Sequence, residues 1–323
     1  MTLVGEPSLT SVDPLISKST AKTHEFAESG RSYNLGFKMS MNNYTNAFMT
    51  TVTAFKMDGL GNDFLIIDRR NKNIHLSKEK ITELADRKKI GFDQIIFIEK
   101  ETNNETPITI FNSDGNEVAA CGNGSRCIGY LLGKEKKINN IILRTTERIL
   151  KTEIVDDLMV KINMGKPIFD WNKIPLSKEM NFEKINIEIV DQSNNKFNEG
   201  FALNVGNPHI VFFVNDCFNF DLKKLGPRLE NHSFFPEKCN VTLAQVIDKN
   251  NIKVNVWERG AGLTKACGTA ACATAVAGYH KKLTEKTCNI IFKEGVLNIH
   301  LNKDENIFMT GPVSEIKKFE VNI

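Results

Sequence analysis

The sequence predicts an α+β fold of two pseudo-symmetric domains, each a curved, barrel-like mixed β-sheet around one central helix, with the functional residues converging on the cleft between them. The first observation behind this is a repeated frame. Gly61-Asn62 precedes an apolar run and is followed by Gln94, Asn112 and Cys121-Gly122; Gly206-Asn207 precedes a second apolar run and is followed by Asn240, Glu258 and Cys267-Gly268. The steps between these marks are 32, 18 and 9 residues in the first half, and 33, 18 and 9 in the second. Such agreement is the mark of an internal duplication, and two copies packed face to face bring equivalent residues to a shared cleft from opposite sides.

The second observation is the segment after each cysteine. Cys121 begins a small-residue turn that leads into Ile128, Tyr130, Leu131 and Leu132, and Cys267 begins one that leads into Ala273, Val276, Ala277 and Tyr279. Both read as the start of a buried helix. The third is the rest of the chain, where Ile95–Ile98, Ile108–Phe111, Ile141–Leu143, Ile185–Val190, Ile210–Val214 and Val254–Trp257 are short apolar or alternating runs bounded by Asn, Asp and Gly. These predict strands. Ser77 to Asp86, with a serine start and a charged first turn, predicts a surface helix.

Two thiols facing one ligand suit a particular chemistry. Inverting a carbon centre requires removal of a proton from one face and its return to the other, and a thiol with an ordinary pKa near ~8.5 can serve as acid or base. The first turn of a helix offers free N–H groups that hold a carboxylate and are expected to lower the thiol pKa. An amino acid held by its α-carboxylate fits that geometry. Cys127, Cys217, Cys239, Cys272 and Cys288 lack the repeated frame and read as small buried hydrophobes. The spacings 121/127 and 267/272 have no accompanying His pair, which argues against zinc. Gly122-Asn-Gly124 is only half of a dinucleotide loop, since Cys127 stands at its last position.

Composition limits the remaining classes. A net charge of +3 from 42 basic and 39 acidic residues indicates no nucleic-acid or membrane surface, so the expected partner is a small molecule. A hydrophobic content of 41% can furnish a substantial core, and no apolar stretch approaches the ~18 residues of a membrane span. Seven cysteines, an odd number spread over a long chain, look reduced; the cytoplasm is the expected compartment. Residues 1–49 are rich in Ser, Thr and Asn without apolar period, and predict disorder. Glu6, Asp13, Glu25 and Glu28 beside a single Arg31 do not suit a transit peptide.

From about Thr53 to Ile323 the chain resembles the diaminopimelate epimerases, amino-acid epimerases that use no pyridoxal phosphate. The resemblance rests on Lys56–Phe64, Ile90–Gln94, Phe111–Gly115, Ala120–Cys127, Asn163–Gly165, Gly206–His209, and Glu258–Gly262 followed by Ala266–Gly268, seven motifs in the family's order. It implies an enzyme without cofactor or metal, a homodimer, and an architecture with domains at 50–165 and 166–310 and a final strand, 311–323, returning to the first. It implies that Cys121 and Cys267 are the acid/base thiols. Asn62, Gln94, Asn112, Asn207, Asn240, Glu258 and Arg259 are implied to line the substrate site, with Gly122, Asn123, Gly268 and Thr269 at the carboxylate. His209 and Glu258 are expected to tune the thiols, and Arg259 to fork onto a distal carboxylate. Family chains begin near Met49, so the extension reads as over-long. Leu263 and Ala270 depart from the common pattern, where Glu and Gly are frequent, and put the fit around Cys267 in doubt rather than the chemistry. A proline-racemase-like enzyme and a non-catalytic amino-acid-binding relative are the rival readings; the extended polar cage argues against the first and the two retained cysteines against the second.

Overall fold

Among the described residues, nineteen strands and four helices run in an order that repeats once. The computed structural model describes residues 50–323, so the expectation for residues 1–49 lies outside the described residues. The first half comprises β1 (Thr51–Gly59), β2 (Asn62–Asp68), α1 (Lys78–Ala85), β3 (Gln94–Ile98), β4 (Thr106–Asn112), β5 (Glu117–Val118), α2 (Gly122–Lys136), β6 (Asn140–Arg144), β7 (Ile149–Asp156) and β8 (Met159–Asn163). A short hairpin, β9 (Ile189–Val190) and β10 (Lys196–Phe197), comes next. The second half comprises β11 (Gly200–Asn204), β12 (Pro208–Phe213), α3 (Leu222–Glu230), β13 (Asn240–Asp248), β14 (Asn251–Glu258), β15 (Gly262–Leu263), α4 (Gly268–His280), β16 (Thr287–Phe292), β17 (Gly295–Leu301) and β18 (Ile307–Pro312). A last strand, β19 (Lys317–Asn322), ends the chain.

Pairing repeats as closely as order does. In the first half β1–β2 is antiparallel, β2–β3 parallel, β3–β4 and β4–β5 antiparallel, β4–β6 parallel, and β6–β7 and β7–β8 antiparallel. The second half repeats each of these senses from β11 to β18. The halves join through an antiparallel pair, β8 with β18, in which Ile162 faces Met309 and Val160 faces Gly311. Each half also lends its trailing segment to the other. After β8 the chain crosses to β11, where Ile168 bridges Asn204, and after β18 it crosses to the first half, where β19 pairs along β1.

Helices α2 and α4 lie inside the curved sheets. Twelve residues of α2 are buried, and α4 is buried nearly throughout on a run of Ala, Gly, Thr and Val. Small side chains let the sheet close tightly around a helix that has no solvent face. One apolar core spans both helices and both halves; two smaller clusters lie under α1 and α3. Ser77 caps α1 by accepting the Lys80 N–H at 3.2 Å, as its sequence predicts.

One expectation needs correction, and one helix gave no signal. Residues Ile185–Val190 pair as a strand only at Ile189–Val190, with one bridge from Ile185 to Gly200. Their alternation reflects burial of Ile185, Ile187 and Ile189 in the α3 cluster without a ladder. Helix α3 carries no clear sequence signal, because Gly226 and Pro227 stand inside it. Gly226 is there to admit the Trp257 indole, which would lie 2.2 Å from any Cβ.

Candidate active site

Each cysteine occupies the N-cap of its buried helix with nearly the same backbone: φ −141° and ψ 112° at Cys121, φ −139° and ψ 115° at Cys267. The two helix starts lie side by side. A side chain at Gly122 would come within 2.9 Å of the Met309 methyl, and one at Gly268 would meet the Met309 sulfur at 3.1 Å and Asn123 Oδ1 at 3.2 Å. Glycine after each cysteine is therefore a condition of the close approach. The Met164 methyl would lie 3.3 Å from the same side chain at Gly122. Met164 and Met309 lie 43 and 42 residues after their cysteines, so the repeated frame held a signal for this pair that sequence reasoning missed.

The cleft amides are turned in one sense. Asn62 Oδ1 accepts from Asn123 Nδ2 at 2.8 Å, Asn112 Oδ1 accepts from Gln94 Nε2 at 2.9 Å, and Asn207 Oδ1 lies 2.8 Å from His209 Nε2. An asparagine whose oxygen is occupied keeps its NH₂ to offer. Asn62, Asn112 and Asn207 thus present donors, the polarity suited to carboxylates. Asn240 is spent on structure, donating to the Pro208 carbonyl at 2.8 Å and accepting the Arg259 N–H at 2.9 Å. The Arg259 side chain is exposed and donates to the Glu237 carbonyl at 3.0 Å. It stands at the rim rather than among the thiols.

The expectation that the helix starts lower the thiol pKa is overridden by desolvation. Burial pushes Cys121 up to about 11, against the pull of the Gly124 N–H, which Cys121 Sγ accepts at 3.4 Å. Cys267, 5% exposed, is raised well above the ordinary thiol value by burial and then by the Glu258 carboxylate, and its sulfur lies 3.3 Å from the Thr269 hydroxyl. Glu258 acts on both thiols and is itself raised by desolvation. His209, fully buried, is depressed to about 3 by desolvation and then by Arg259, and is neutral near pH 7. Its Nδ1 has no partner, so Nε2–H donates to Asn207.

All seven cysteines are free thiols, and Cys127, Cys217, Cys239, Cys272 and Cys288 are buried. Ala270 is buried in the first turn of α4 and Leu263 stands exposed on β15. Two surface hollows, of about 330 and 700 Å³, lie elsewhere, one beside Lys166 and His280 and the other between α1 and β19. Among the described residues no helix is long and apolar enough to cross a membrane.

A duplicated sheet-and-helix unit with a thiol heading each central helix defines an epimerase of the two-cysteine class. A family model described as diaminopimelate epimerase matches residues 54–169 and 201–316, one segment in each half. The chain belongs to the diaminopimelate epimerase family, and is an isomerase. It is 52% identical over 272 residues to the diaminopimelate epimerase of Pelagibacter ubique, covering 84% of this chain and 99% of the relative. The enzyme of that name from Sphingopyxis alaskensis is 39% identical over 264 residues, covering 81% and 94%. Among solved structures, a Bacillus anthracis phenazine biosynthesis protein of the PhzF family superposes with a TM-score of 0.61 at 18% identity, over 85% of this chain and 100% of its own. A hydroxyproline epimerase from Agrobacterium vitis does so at 0.59 and 11% identity, over 84% and 93%. These two share the fold.

Proposed function

We propose that the chain interconverts LL- and meso-2,6-diaminopimelate by two-thiol inversion at the α-carbon, a reaction of lysine biosynthesis. The observation that carries this reading is the matched pair of cysteine N-caps at adjoining helix starts within a family of that name. One thiolate removes the α-proton while the other thiol delivers a proton to the opposite face, and the reverse reaction exchanges their roles. Burial makes a thiolate costly, so the entering α-ammonium, placed against Glu258, supplies the positive charge that favours it.

The carbanion has no cofactor to delocalise it. Charge developing on the α-carboxylate is met by the helix-start N–H groups at Gly122, Asn123, Gly268 and Thr269 in a closed cleft. Asn62, Asn112 and Asn207 offer amide donors to the substrate carboxylates, with Gln94 and Asn240 holding their neighbours. Arg259 swings from the rim onto the distal carboxylate as the halves, 50–165 and 166–310, close. His209 acts as a neutral brace on Asn207. The working form is a cytoplasmic homodimer, a reading supported by family resemblance.

Incubation of the purified protein with LL-diaminopimelate and, separately, L-proline in deuterated water tests the assignment, with α-proton loss monitored by NMR. Exchange of diaminopimelate alone is the expected result. Exchange of proline alone would transfer the chain to the imino-acid epimerases.

A further inference from the structure

We propose that Arg126 is a positioning residue for this reaction: its buried guanidinium sets the polarity of Asn123 and Asn62 and holds a fixed positive charge behind both helix starts. This rests on the two-thiol reading above. Arg126 lies in α2, five residues after Cys121, and is completely buried. Its Nη1 donates to Asn123 Oδ1 at 3.0 Å and approaches the Met309 sulfur at 3.5 Å. Asn123 Nδ2 then donates to Asn62 Oδ1 at 2.8 Å. Because a guanidinium can only donate, it compels Asn123 to turn its oxygen inward and its NH₂ toward Asn62, which leaves the NH₂ of Asn62 for the cleft.

The charge is the second part. Nε and Nη2 have no hydrogen-bond acceptor, and among the described residues no carboxylate forms an ion pair with Arg126. Burial lowers the Arg126 pKa, and the titratable groups that act against this are Cys127 and Cys121 at its own helix, Cys272 on α4 and Asp58 on β1. Asp58 Oδ1 already accepts the Gly61 N–H at 2.9 Å. Strand β18, from the other half, makes room for the head group: a Cβ at Gly311 would stand 3.2 Å from the guanidinium carbon. A buried cation without a counterion is destabilising. It becomes favourable when negative charge arrives, and the reaction brings two such charges, a thiolate and a carboxylate gaining electron density. The equivalent position in the second half is Cys272, so one cation serves both helix starts.

The test replaces Arg126 with Met, Gln and Lys in the full chain. It measures diaminopimelate epimerisation, and the pH profile of Cys121 alkylation by iodoacetamide with each site resolved by peptide mapping. Arg126→Met and Arg126→Gln should lose roughly 10- to 100-fold in kcat, the range for a hydrogen bond to a charged group, with KM changed far less. Their Cys121 alkylation should move to higher pH, because removing a positive neighbour disfavours the thiolate. Arg126→Lys should recover most of kcat and the wild-type profile; if the neutral variants do not fold, a folded Lys variant with low kcat and an alkaline shift overturns the proposal. Wild-type kcat and an unchanged profile in folded Met or Gln variants also overturn it. An inactive wild-type enzyme would instead refute the reading on which it rests.

Discussion

Cys121 and Cys267 share a backbone almost to the degree, yet their surroundings differ. Cys121 is half-buried, caps its helix through the Gly124 N–H and has Arg126 five residues on; Cys267 is buried, lies beside the Thr269 hydroxyl and the Glu258 carboxyl, and has Cys272 at the matching place. The strand ends differ in the same way. Gln94 and Asn112 form an amide pair in the first half, whereas their counterparts Asn240 and Glu258 bring an acid into the second. Duplication has kept the scaffold that sets a cysteine at the start of each central helix, while the side chains around the two have diverged.

The largest effect that could break this comparison is loss of either thiol. Cys121→Ala and Cys267→Ala are each expected to lower epimerisation by at least ~10²-fold, the lower end of what a positioned acid or base contributes. Near wild-type turnover by one of them would mean that a single thiol suffices. Next comes the rim of the second half, where Arg259→Met should leave a substrate carboxylate without its partner at roughly 2–5 kcal/mol, or ~30-fold in kcat/KM or more. L-Lysine, lacking that carboxylate, should exchange its α-proton very poorly; ready exchange would remove Arg259 as the distal reader.

A finer test asks which half holds the thiols protonated. Glu258 raises both, so Glu258→Gln should move alkylation of each to lower pH, more for Cys267. An unchanged Cys267 profile would show that burial alone sets it. The smallest effect concerns His209. Its folded-state pKa is depressed below the unfolded value, so the unfolded chain binds the proton first, and stability declines as pH falls from about 6.5 toward 3. Denaturant titrations of wild type and His209→Asn across that range should differ in slope, with the variant flatter; parallel curves would place the acid sensitivity in other groups.

The repeated frame made the order of elements readable, because each strand end and helix start fell at a fixed step from its cysteine. What stayed hidden has physical causes. Ile185, Ile187 and Ile189 alternate as a strand would, but the period reports which side is buried and not whether a neighbour supplies hydrogen bonds. Gly226 and Pro227 disguised α3, whose groove admits a tryptophan. At the site, the state of the side chains was not legible. The orientation of each amide depends on partners such as Arg126 and His209 that only folding assembles, and a helix start lowers a thiol pKa only where burial does not outweigh it.

The crossing of each trailing segment onto the opposite sheet also bears on how such a chain could arise. A polypeptide half as long would make the β8–β18 pairing with a second copy of itself and exchange its tail in return, giving a two-fold dimer with swapped arms. Joining two copies near residues 164–167 turns that concentration-dependent association into an intramolecular one. It also frees the copies from having to be identical. A homodimer must carry the same residue on both sides of its axis, whereas a single chain can carry Arg126 in one helix and Cys272 at the matching place in the other, one cation between the two helix starts.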